Sequence, residues 1–472
     1  ITLIEESLKS RAFGARRMFD TRRSPGLDAA RHAKPANHRA PMALWHPPGC
    51  GVSSHHARDV PLLVISDESL LGFRSTERRV AAPALRSHKS SPQSPPHFKN
   101  AAAVSGNNRP RPAVPLLHCA SVVASVCVCV CVSAMAEQLI STTVHEKLPD
   151  NYVRAEAERP RLEEVVADAD IPVVDLANPD RAEVVAQIGA ACRSHGFFQV
   201  LNHGLPVEVM RAAMAVAHEF FRLSPEEKAK LYSDDPAKKM RLSTSFNVRK
   251  ETVHNWRDYL RLHCYPLEQF VPDWPANPPP FRDTMSEYCK EVRDLGFRLY
   301  AAISESLGLD KDYIKKVLGE QEQHMAVNFY PKCPSPELTY GLPAHTDPNA
   351  LTILLMDEQV AGLQVLKEGK WIAVNPRPNA LVINLGDQLQ ALSNGRYKSV
   401  WHRAVVNSDR ARMSIASFLC PCNSVTLGPA EKLIGEETPA VYRNYTYDEY
   451  YKKFWSRNLD QEHCLELFRT KL

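Results

Sequence analysis

Apolar residues recur at helical spacing over much of the region between 181 and 309. Between 181 and 195 they fall three or four apart, which predicts an amphipathic helix that ends at Gly196. A strand is predicted over 197–201, and a second helix is predicted over 206–221. Ser224 and Pro225 have the pattern of an N-cap and a first helical residue, so a third helix is expected to begin there. A long helix is predicted over 281–309.

From about Met325 the pattern changes to short apolar runs that are separated by turn formers. The first clear run, 350–355, is apolar and β-branched, which is typical of a buried strand. Similar runs follow at 362–366, 371–374, 380–385 and 399–406. Short strands with regular turns predict an all-β sandwich or barrel.

His345, Asp347 and His402 are the candidate metal ligands. Residues two apart in a strand face the same way, so His345 and Asp347 would share a face, and His402 lies in another strand-like run. Two imidazoles and one carboxylate are the ligand set of non-haem Fe(II) oxygenases, because they leave positions open for a co-substrate and O2. A lone His-x-Asp is usually a surface or hydrogen-bonded pair, so the assignment depends on its surroundings. His203 and His218 have no second ligand at strand or helix spacing and are interpreted as structural.

A second set of polar residues could hold a carboxylate co-substrate. Arg412 and Ser414 stand two apart in a strand-like run, and a guanidinium beside a hydroxyl makes a clamp for a carboxylate. Asn328 and Tyr330 would likewise share one face of an upstream strand. Each of these residues alone could equally be structural.

Six segments together point to one family. They are 171–176, 196–204, 328–331, 345–347, 402–403 and 412–414. Their order and spacing resemble the plant 2-oxoglutarate- and Fe(II)-dependent dioxygenases, and the resemblance runs from about Met135 to the C-terminus. It implies a mostly β, α+β fold, with a double-stranded β-helix (jelly-roll) core flanked by helices and an N-terminal subdomain of helices and strand.

The resemblance also implies roles for the candidate residues. His345, Asp347 and His402 would hold Fe(II), and Arg412 and Ser414 would hold the distal carboxylate of 2-oxoglutarate. Further help with the co-substrate would come from Tyr330 and Asn328. The reaction would use O2 and release succinate and CO2, with ascorbate as reductant, and no catalytic residue is expected beyond the metal centre.

The run 253–266 resembles most the downy-mildew-resistance clade of that family. This resemblance implies a small aromatic substrate: salicylic acid, hydroxylated at the ring 5-position, or a flavanone. We expect Tyr259 and Arg261 to face the substrate pocket, with Arg261 as a partner for a salicylate carboxylate. Phe418 shares a strand face with Ser414 and could stack on an aromatic ring. The alternatives are an inactive barrel that binds a small aromatic ligand, and an oxidase of the same fold that needs no 2-oxoglutarate.

The first 134 residues differ in composition from the rest. They are rich in Pro, Ser, Arg and His, and they end in an alternating Val/Cys run of the kind that a TG nucleotide repeat encodes. We expect 1–134 to be translated leader or a disordered extension, and the alternative is an organelle transit peptide. A start at Met135 leaves 338 residues. We divide these into an N-terminal subdomain (135–320), a jelly-roll core (321–425) and a C-terminal helical lid (426–472).

Charge and cysteine usage narrow the possible partners. Residues 1–134 carry 18 Lys and Arg against 8 Asp and Glu, so the remainder has a net charge of −6 within a total of +4. A mildly acidic catalytic region argues against nucleic acid as a partner. The Val/Cys run is too short to span a bilayer. Seven scattered cysteines follow Met135 without a disulfide or zinc pattern, so we expect a cytoplasmic protein with reduced thiols. We also expect a monomer.

Overall fold

The structure, a computed structural model, describes residues 138–167, 171–457 and 462–471. The predicted leader and its Val/Cys run lie outside the described residues. The division of the chain at 134, 320 and 425 stays a prediction.

Within the described residues the chain forms short strands and mostly short helices. The strands are β1 (Val173–Asp175), β2 (Phe197–Leu201), β3 (Met240–Thr244), β4 (Asp258–His263), β5 (Glu322–Tyr330), β6 (Leu342–His345), β7 (Leu351–Met356), β8 (Leu363–Lys367), β9 (Lys370–Ala373), β10 (Leu381–Leu385), β11 (His402–Ala404), β12 (Arg412–Cys420), β13 (Thr426–Leu427) and β14 (Tyr445–Thr446). The α-helices are α1 (Arg181–Ser194), α2 (Val207–Phe221), α3 (Pro225–Ala229), α4 (Leu267–Phe270), α5 (Phe281–Ser306), α6 (Tyr313–Val317), α7 (Asp387–Leu392) and α8 (Tyr447–Trp455). Turns of 3-10 helix lie at Ile140–Thr142, Asp150–Tyr152, Glu156–Glu158, Leu162–Glu164, Val271–Asp273, Pro336–Leu338, Glu431–Leu433 and Cys464–Phe468.

Twelve of these strands form two mainly antiparallel sheets. The main sheet has eight strands in the order β1-β2-β10-β7-β12-β5-β4-β3, and the minor sheet has four in the order β6-β11-β8-β9. Only β1 and β2 pair in parallel within the main sheet. The cavity described below is lined by residues of both sheets, so it lies between them.

The central strands alternate between two kinds of surface. In β12 the side chains of Met413, Ile415 and Leu419 belong to the hydrophobic core, whereas Ser414 and Phe418 line the cavity. Successive side chains in a strand point to opposite faces, so one strand can serve both surfaces. The apolar face of such a strand has to lie under the helices, and its polar face has to lie inside the cavity. This requirement sets the register in which the strand pairs with its neighbours.

The helices cover the apolar face of the main sheet. The longest, α5, packs against α1, α2 and strands β7 and β12. Gly196, at the end of α1, has φ +63°, and an added Cβ would lie 2.3 Å from the carbonyl oxygen of Lys398. Only glycine fits this position, because any side chain would clash with backbone. The predicted helix stop at Gly196 is thus explained by both conformation and space.

Most of the predicted helices agree with the structure to within a few residues. The side chain of Ser224 accepts a hydrogen bond from the backbone N–H of Glu227, so α3 is capped as predicted. The strand predicted over 197–201 is β2, but β1, β3 and β4 also come before Met325 and join the main sheet, so the expectation that the run of strands begins near Met325 was wrong. Asp347 was also expected in a strand, but β6 ends at His345 and Asp347 lies in the loop before β7.

No helix among the described residues has the length and apolar character needed to cross a membrane.

Candidate active site

The cavity between the two sheets is lined by all ten residues that were predicted for the site. They are Tyr259, Arg261, Asn328, Tyr330, His345, Asp347, His402, Arg412, Ser414 and Phe418. They come from β4, β5, β6, β11, β12 and the loop after β6. His203 and His218, which were interpreted as structural, are not part of this lining. The ring nitrogen Nε2 of His203 instead lies 3.1 Å from the carbonyl oxygen of Asn379.

His345, Asp347 and His402 converge on one point. The Nε2 atoms of His345 and His402 lie 3.8 and 3.7 Å from Oδ1 of Asp347. Cross-strand pairing of β6 with β11 places the two histidines opposite each other, with ring centroids 4.2 Å apart. Each offers one ligand atom, and all three atoms lie within 4.8 Å of one another. The arrangement brings two nitrogens and one oxygen onto one side of a common centre.

The protonation states suit a metal ion. Nδ1 of His345 lies 2.9 Å from the carbonyl oxygen of Pro343, and Nδ1 of His402 lies 3.1 Å from that of Val400. A carbonyl oxygen can only accept, so each Nδ1 carries the proton and each Nε2 presents its lone pair. Burial, together with the neighbouring His402, lowers the pKa of His345 well below its usual range.

Asp347 is held ionised by its surroundings. Burial would raise the pKa of this carboxyl, but the two histidines and the hydrogen bonds from Thr352 and Asn384 keep it below its ordinary value. The hydroxyl of Thr352 donates to Oδ2 at 2.6 Å, and the amide of Asn384 donates to the same oxygen at 2.7 Å. Oδ2 is therefore occupied by protein donors while Oδ1 faces the histidines. Fe(II) fits this donor set, which has two imidazoles that present Nε2, an ionised carboxylate and a fixed carboxylate orientation.

Thr352 and Asn384 were missed by the sequence analysis. They pair directly across β7 and β10, so the donors to Asp347 come from strands that are 32 residues apart in the chain. Thr352 is 5 residues after Asp347 and Asn384 is 37 residues after it, so strand alternation from the ligand motif selects neither of them. Their polar side chains within otherwise apolar strands were the only available signal.

Arg412 is a buried cation without an acidic partner. Its side chain is 2% exposed, and no carboxylate of the described residues lies within salt-bridge distance. Its Nε is also without a hydrogen bond within the described part of the chain. Gly362 makes room for it, because an added Cβ would come within 2.8 Å of Cδ of Arg412. A buried, unpaired guanidinium is costly, so its position in the cavity favours an anionic ligand.

The other co-substrate candidates lie beside Arg412. In the pairing of β5 with β12, Tyr330 is opposite Arg412 and Asn328 is opposite Ser414. The amide of Asn328 donates to Oγ of Ser414 at 3.3 Å, and the guanidinium of Arg412 lies 5.2 Å from the ring centroid of Tyr330. The four side chains thus form one patch on the cavity wall.

Comparisons with known proteins agree with this geometry. Residues 321–421 match the model of the 2OG-Fe(II) oxygenase superfamily, and residues 171–280 match that of the non-haem dioxygenase in morphine synthesis N-terminal domain. The chain is 78% identical over 333 residues to "Flavanone 3-dioxygenase 2" of Oryza sativa subsp. japonica, which covers 71% of this chain and 97% of that protein. The chain belongs to the 2OG-Fe(II) oxygenase superfamily.

Other relatives of this oxygenase extend the picture. It is 62% identical over 338 residues to "Protein DOWNY MILDEW RESISTANCE 6" of Arabidopsis thaliana, over 71% of this chain and 99% of that one. The crystal structure of JOX2 in complex with 2OG, Fe and JA matches with a TM-score of 0.64 and 36% identity, over 72% of this chain and 97% of that one. A dioxygenase for auxin oxidation in rice matches with a TM-score of 0.54 and 27% identity, over 64% and 100%.

These findings confirm the predicted family, fold class and enzyme class. The oxygenase has a jelly-roll core, and it uses Fe(II), 2-oxoglutarate, O2 and a small-molecule substrate. The role of ascorbate stays a prediction.

Another part of the oxygenase cavity wall is built by β4, β12 and α8. Tyr259 donates from its hydroxyl to the carbonyl oxygen of Phe246 at 3.2 Å, and Arg261 donates to the hydroxyl of Tyr451 at 3.0 Å. The aromatic face of α8 contributes four lining residues: Tyr447, Tyr451, Phe454 and Trp455. The aromatic C-terminal helix therefore forms a wall of the cavity.

Arg257 is a further lining residue that the sequence analysis missed. It stands two residues before Tyr259, so the alternation that selected Tyr259 and Arg261 also places Arg257 on the cavity face. Its side chain is 5% exposed, and its guanidinium lies 4.3 Å from the ring centroid of Tyr259. As with Arg412, no carboxylate of the described residues pairs with it. Asp347 is the one acidic residue in the described lining, so the cavity is strongly cationic.

Proposed function

We propose that this oxygenase hydroxylates a small aromatic acid, with salicylate at its ring 5-position as the preferred substrate. In this proposal His345, Asp347 and His402 bind Fe(II). When bound, Fe(II) and 2-oxoglutarate supply the oxidation of the substrate by O2, with succinate and CO2 as co-products. The protein's part is to hold both small molecules and to exclude water.

Four residues are assigned to the co-substrate in this proposal. Arg412 and Ser414 bind the distal carboxylate of 2-oxoglutarate, and Tyr330 and Asn328 complete that end of the pocket. The burial of Arg412 without an acidic partner in the described structure supports the assignment.

The observation that carries the substrate assignment is a row of small residues next to a cation. Ala326 on β5 pairs with Ala416 on β12 on one side and with Arg261 on β4 on the other. Two methyl groups leave room over the sheet for a planar ring, while Arg261 on the same row can bind its carboxylate. Phe418, one cavity-facing position beyond Ala416, is placed to contact the ring. The cationic lining, with Arg257 in addition, supports an anionic substrate.

A second candidate function is oxidation of a flavanone. It is favoured by the 78% identity to the rice protein named as a flavanone 3-dioxygenase. A flavanone has no carboxylate, so Arg261 and Arg257 would then lack the partner that the first proposal gives them.

The test is to supply the purified protein with Fe(II), ascorbate, 2-oxoglutarate and either salicylate or naringenin, and to identify the products by mass spectrometry. A dominant 2,5-dihydroxybenzoate product supports the first proposal, and a dominant oxidised flavonoid supports the second. Substrate-stimulated succinate release distinguishes both from an inactive binding protein. Turnover without 2-oxoglutarate would instead indicate an oxidase that does not depend on it.

Arg261→Gln separates the two substrates within one protein. Loss of a charge-assisted contact of about 1.5–3 kcal/mol should raise KM for salicylate by roughly 10- to 100-fold and leave KM for naringenin unchanged. Tyr451→Phe is the matched control, because it removes the hydrogen bond between Arg261 and Tyr451 but keeps the guanidinium. Equal effects of Arg261→Gln on both substrates would contradict a carboxylate contact. We further propose a cytosolic location, on the cysteine usage described above, and a monomeric state.

A further inference from the structure

A second group of metal-ligand side chains lies in the same barrel, away from the iron ligands. His263 ends β4, and Glu322 and His324 begin β5. Each offers one ligand atom, and the three atoms lie within 4.8 Å of one another, as in the iron triad. Within the described parts of the chain, these are the two groups of three or more ligand residues that meet this distance. The proposed oxygenase reaction assigns no role to the second group.

The geometry of the second group closely matches that of the iron triad. The rings of His263 and His324 have centroids 4.0 Å apart at an interplanar angle of 40°. The corresponding values for His345 and His402 are 4.2 Å and 51°. Nε2 of His324 lies 3.0 Å from Oε2 of Glu322. Two imidazoles and one carboxylate oxygen therefore already face a common centre.

Strand pairing fixes where this group lies relative to the iron triad. One row of paired residues crosses five strands of the main sheet: Asn384, Thr352, Phe418, His324 and His263. Neighbouring strands lie about 4.8 Å apart, so His324 is about 10 Å from Thr352, which anchors Asp347. Phe418 stands between them. The two groups are separate sites that share one cavity wall.

The protonation states of the group suit metal binding. Burial and the neighbouring His324 lower the pKa of His263 to about 2, and burial also lowers the pKa of His324. The hydrogen bond with His324 lowers the pKa of Glu322 against the opposing effect of burial. Neutral imidazoles and an ionised carboxylate are the forms that bind metal ions.

Cys420 is placed to orient the ring of His324. Its Sγ lies 3.8 Å from Nδ1 of His324, on the opposite side of the ring from Glu322. In the metal-free protein Nε2–H of His324 donates to the Glu322 carboxylate, which can only accept. A bound ion would replace that proton, and the proton on Nδ1 would then face the sulfur of Cys420, as in metal sites where an outer group fixes the tautomer. The side chain of Glu322 is 36% exposed, which leaves a path for an ion to enter from solvent.

We propose that His263, Glu322 and His324 form a second metal site, which binds a divalent transition-metal ion of the Zn²⁺ class. Two imidazole nitrogens and a carboxylate oxygen suit Zn²⁺ and leave a further position for water. The positive charges of Arg261 and Lys239, both of which act on His263, reduce the affinity of this site for a cation. This inference does not depend on the identity of the organic substrate.

The experiment counts bound ions in the full-length protein. The protein is stripped with a chelator and equilibrated with ZnCl2, and zinc per chain is measured by mass spectrometry. The chain holds 18 histidines and 12 cysteines, and side chains outside the two groups can also bind Zn²⁺. The test therefore compares the number of zinc ions bound by each variant with the number bound by wild type. The double variant His263→Ala/His324→Ala should bind one ion fewer than wild type, and His345→Ala/His402→Ala should also lose one. His218→Ala, a half-buried histidine outside both groups, should lose none.

A conservative variant keeps the test decisive even if the double variant His263→Ala/His324→Ala misfolds. Glu322→Gln keeps the size of the side chain and a partner for His324, and it should weaken binding of the second ion by at least about tenfold in competition with a chelating dye. An unchanged near-ultraviolet circular dichroism spectrum shows that each variant is folded, and the variants of His263, Glu322 and His324 should also retain Fe(II) binding. The proposal is overturned if Glu322→Gln binds Zn²⁺ with the same stoichiometry and affinity as wild type, whatever the double variant does.

Discussion

Thr352→Val is expected to weaken iron binding without changing the size of the side chain. The Thr352 hydroxyl donates to Oδ2 of Asp347 at 2.6 Å and accepts from the amide of Asn349 at 3.1 Å. Valine can do neither, so Asp347 keeps only the Asn384 amide at 2.7 Å, and its carboxylate becomes freer to rotate. Loss of an outer partner of a metal ligand lowers metal affinity by about 10- to 100-fold, and we expect a change of that order.

The same substitution has a second, separate effect on the metal-free protein. A buried hydrogen bond to a charged group contributes about 1.5–3 kcal/mol, so the metal-free variant should lose stability of that size. It should appear as a lower denaturant midpoint with an unchanged slope. Iron affinity is measured by anaerobic Fe(II) titration. Both measurements use one preparation of the protein.

Thr339→Val is the matched control for this prediction. Thr339 is fully buried, and its hydroxyl has no hydrogen-bond partner within the described residues. The control therefore makes the same chemical change without removing a hydrogen bond. If Thr352→Val binds Fe(II) as tightly as Thr339→Val, Asp347 is not oriented by Thr352 and the interpretation of the site is wrong.

Two further predictions concern the co-substrate and the effect of pH. Arg412→Lys keeps the charge but loses the two-pronged guanidinium, so KM for 2-oxoglutarate should rise by about 10- to 100-fold, while the exposed Arg410→Lys should leave it unchanged. Burial, with the charge of Arg298, lowers the pKa of His203 in the folded protein. The contribution of neutral His203 to the free energy of unfolding is therefore full above about pH 6.5, and it is lost as the pH falls towards the folded pKa. The stability difference between wild type and His203→Gln, from denaturant midpoints, should therefore shrink from about pH 8 to about pH 5, and a constant difference would exclude this linkage.

The sequence reveals those parts of the site that are local in the chain. His345 and Asp347, or Arg412 and Ser414, stand two residues apart, so a short motif with strand alternation is enough to bring them together. Asp347 shows the limit of that argument, because it faces the histidines from a loop and not from a strand. The ligand set and the strands of His345 and His402 were predicted, while the loop that presents Asp347 was not.

The features that the sequence did not reveal depend on which strands are neighbours. Asn384 acts on Asp347 only because β10 lies beside β7, and His263 meets His324 only because β4 lies beside β5. Strand order in an antiparallel sheet depends on long-range topology, which no short motif encodes. Arg257 differs from these, since it directly precedes β4 and the alternation of that strand, continued by one residue, would have placed it with Tyr259 and Arg261.

The row of paired residues through Thr352, Phe418 and His324 explains how one wall can serve two kinds of chemistry. Its Thr352 end fixes the carboxylate of the iron triad, and its His324 end presents the second ligand group. Phe418 keeps the two ends apart and faces the alanine-lined space proposed for the substrate ring. A side chain smaller than phenylalanine there would open the space between the groups to water. We therefore expect a large apolar side chain to be needed at Phe418 whether or not it touches the substrate, because it stands between Thr352 and His324 in this row.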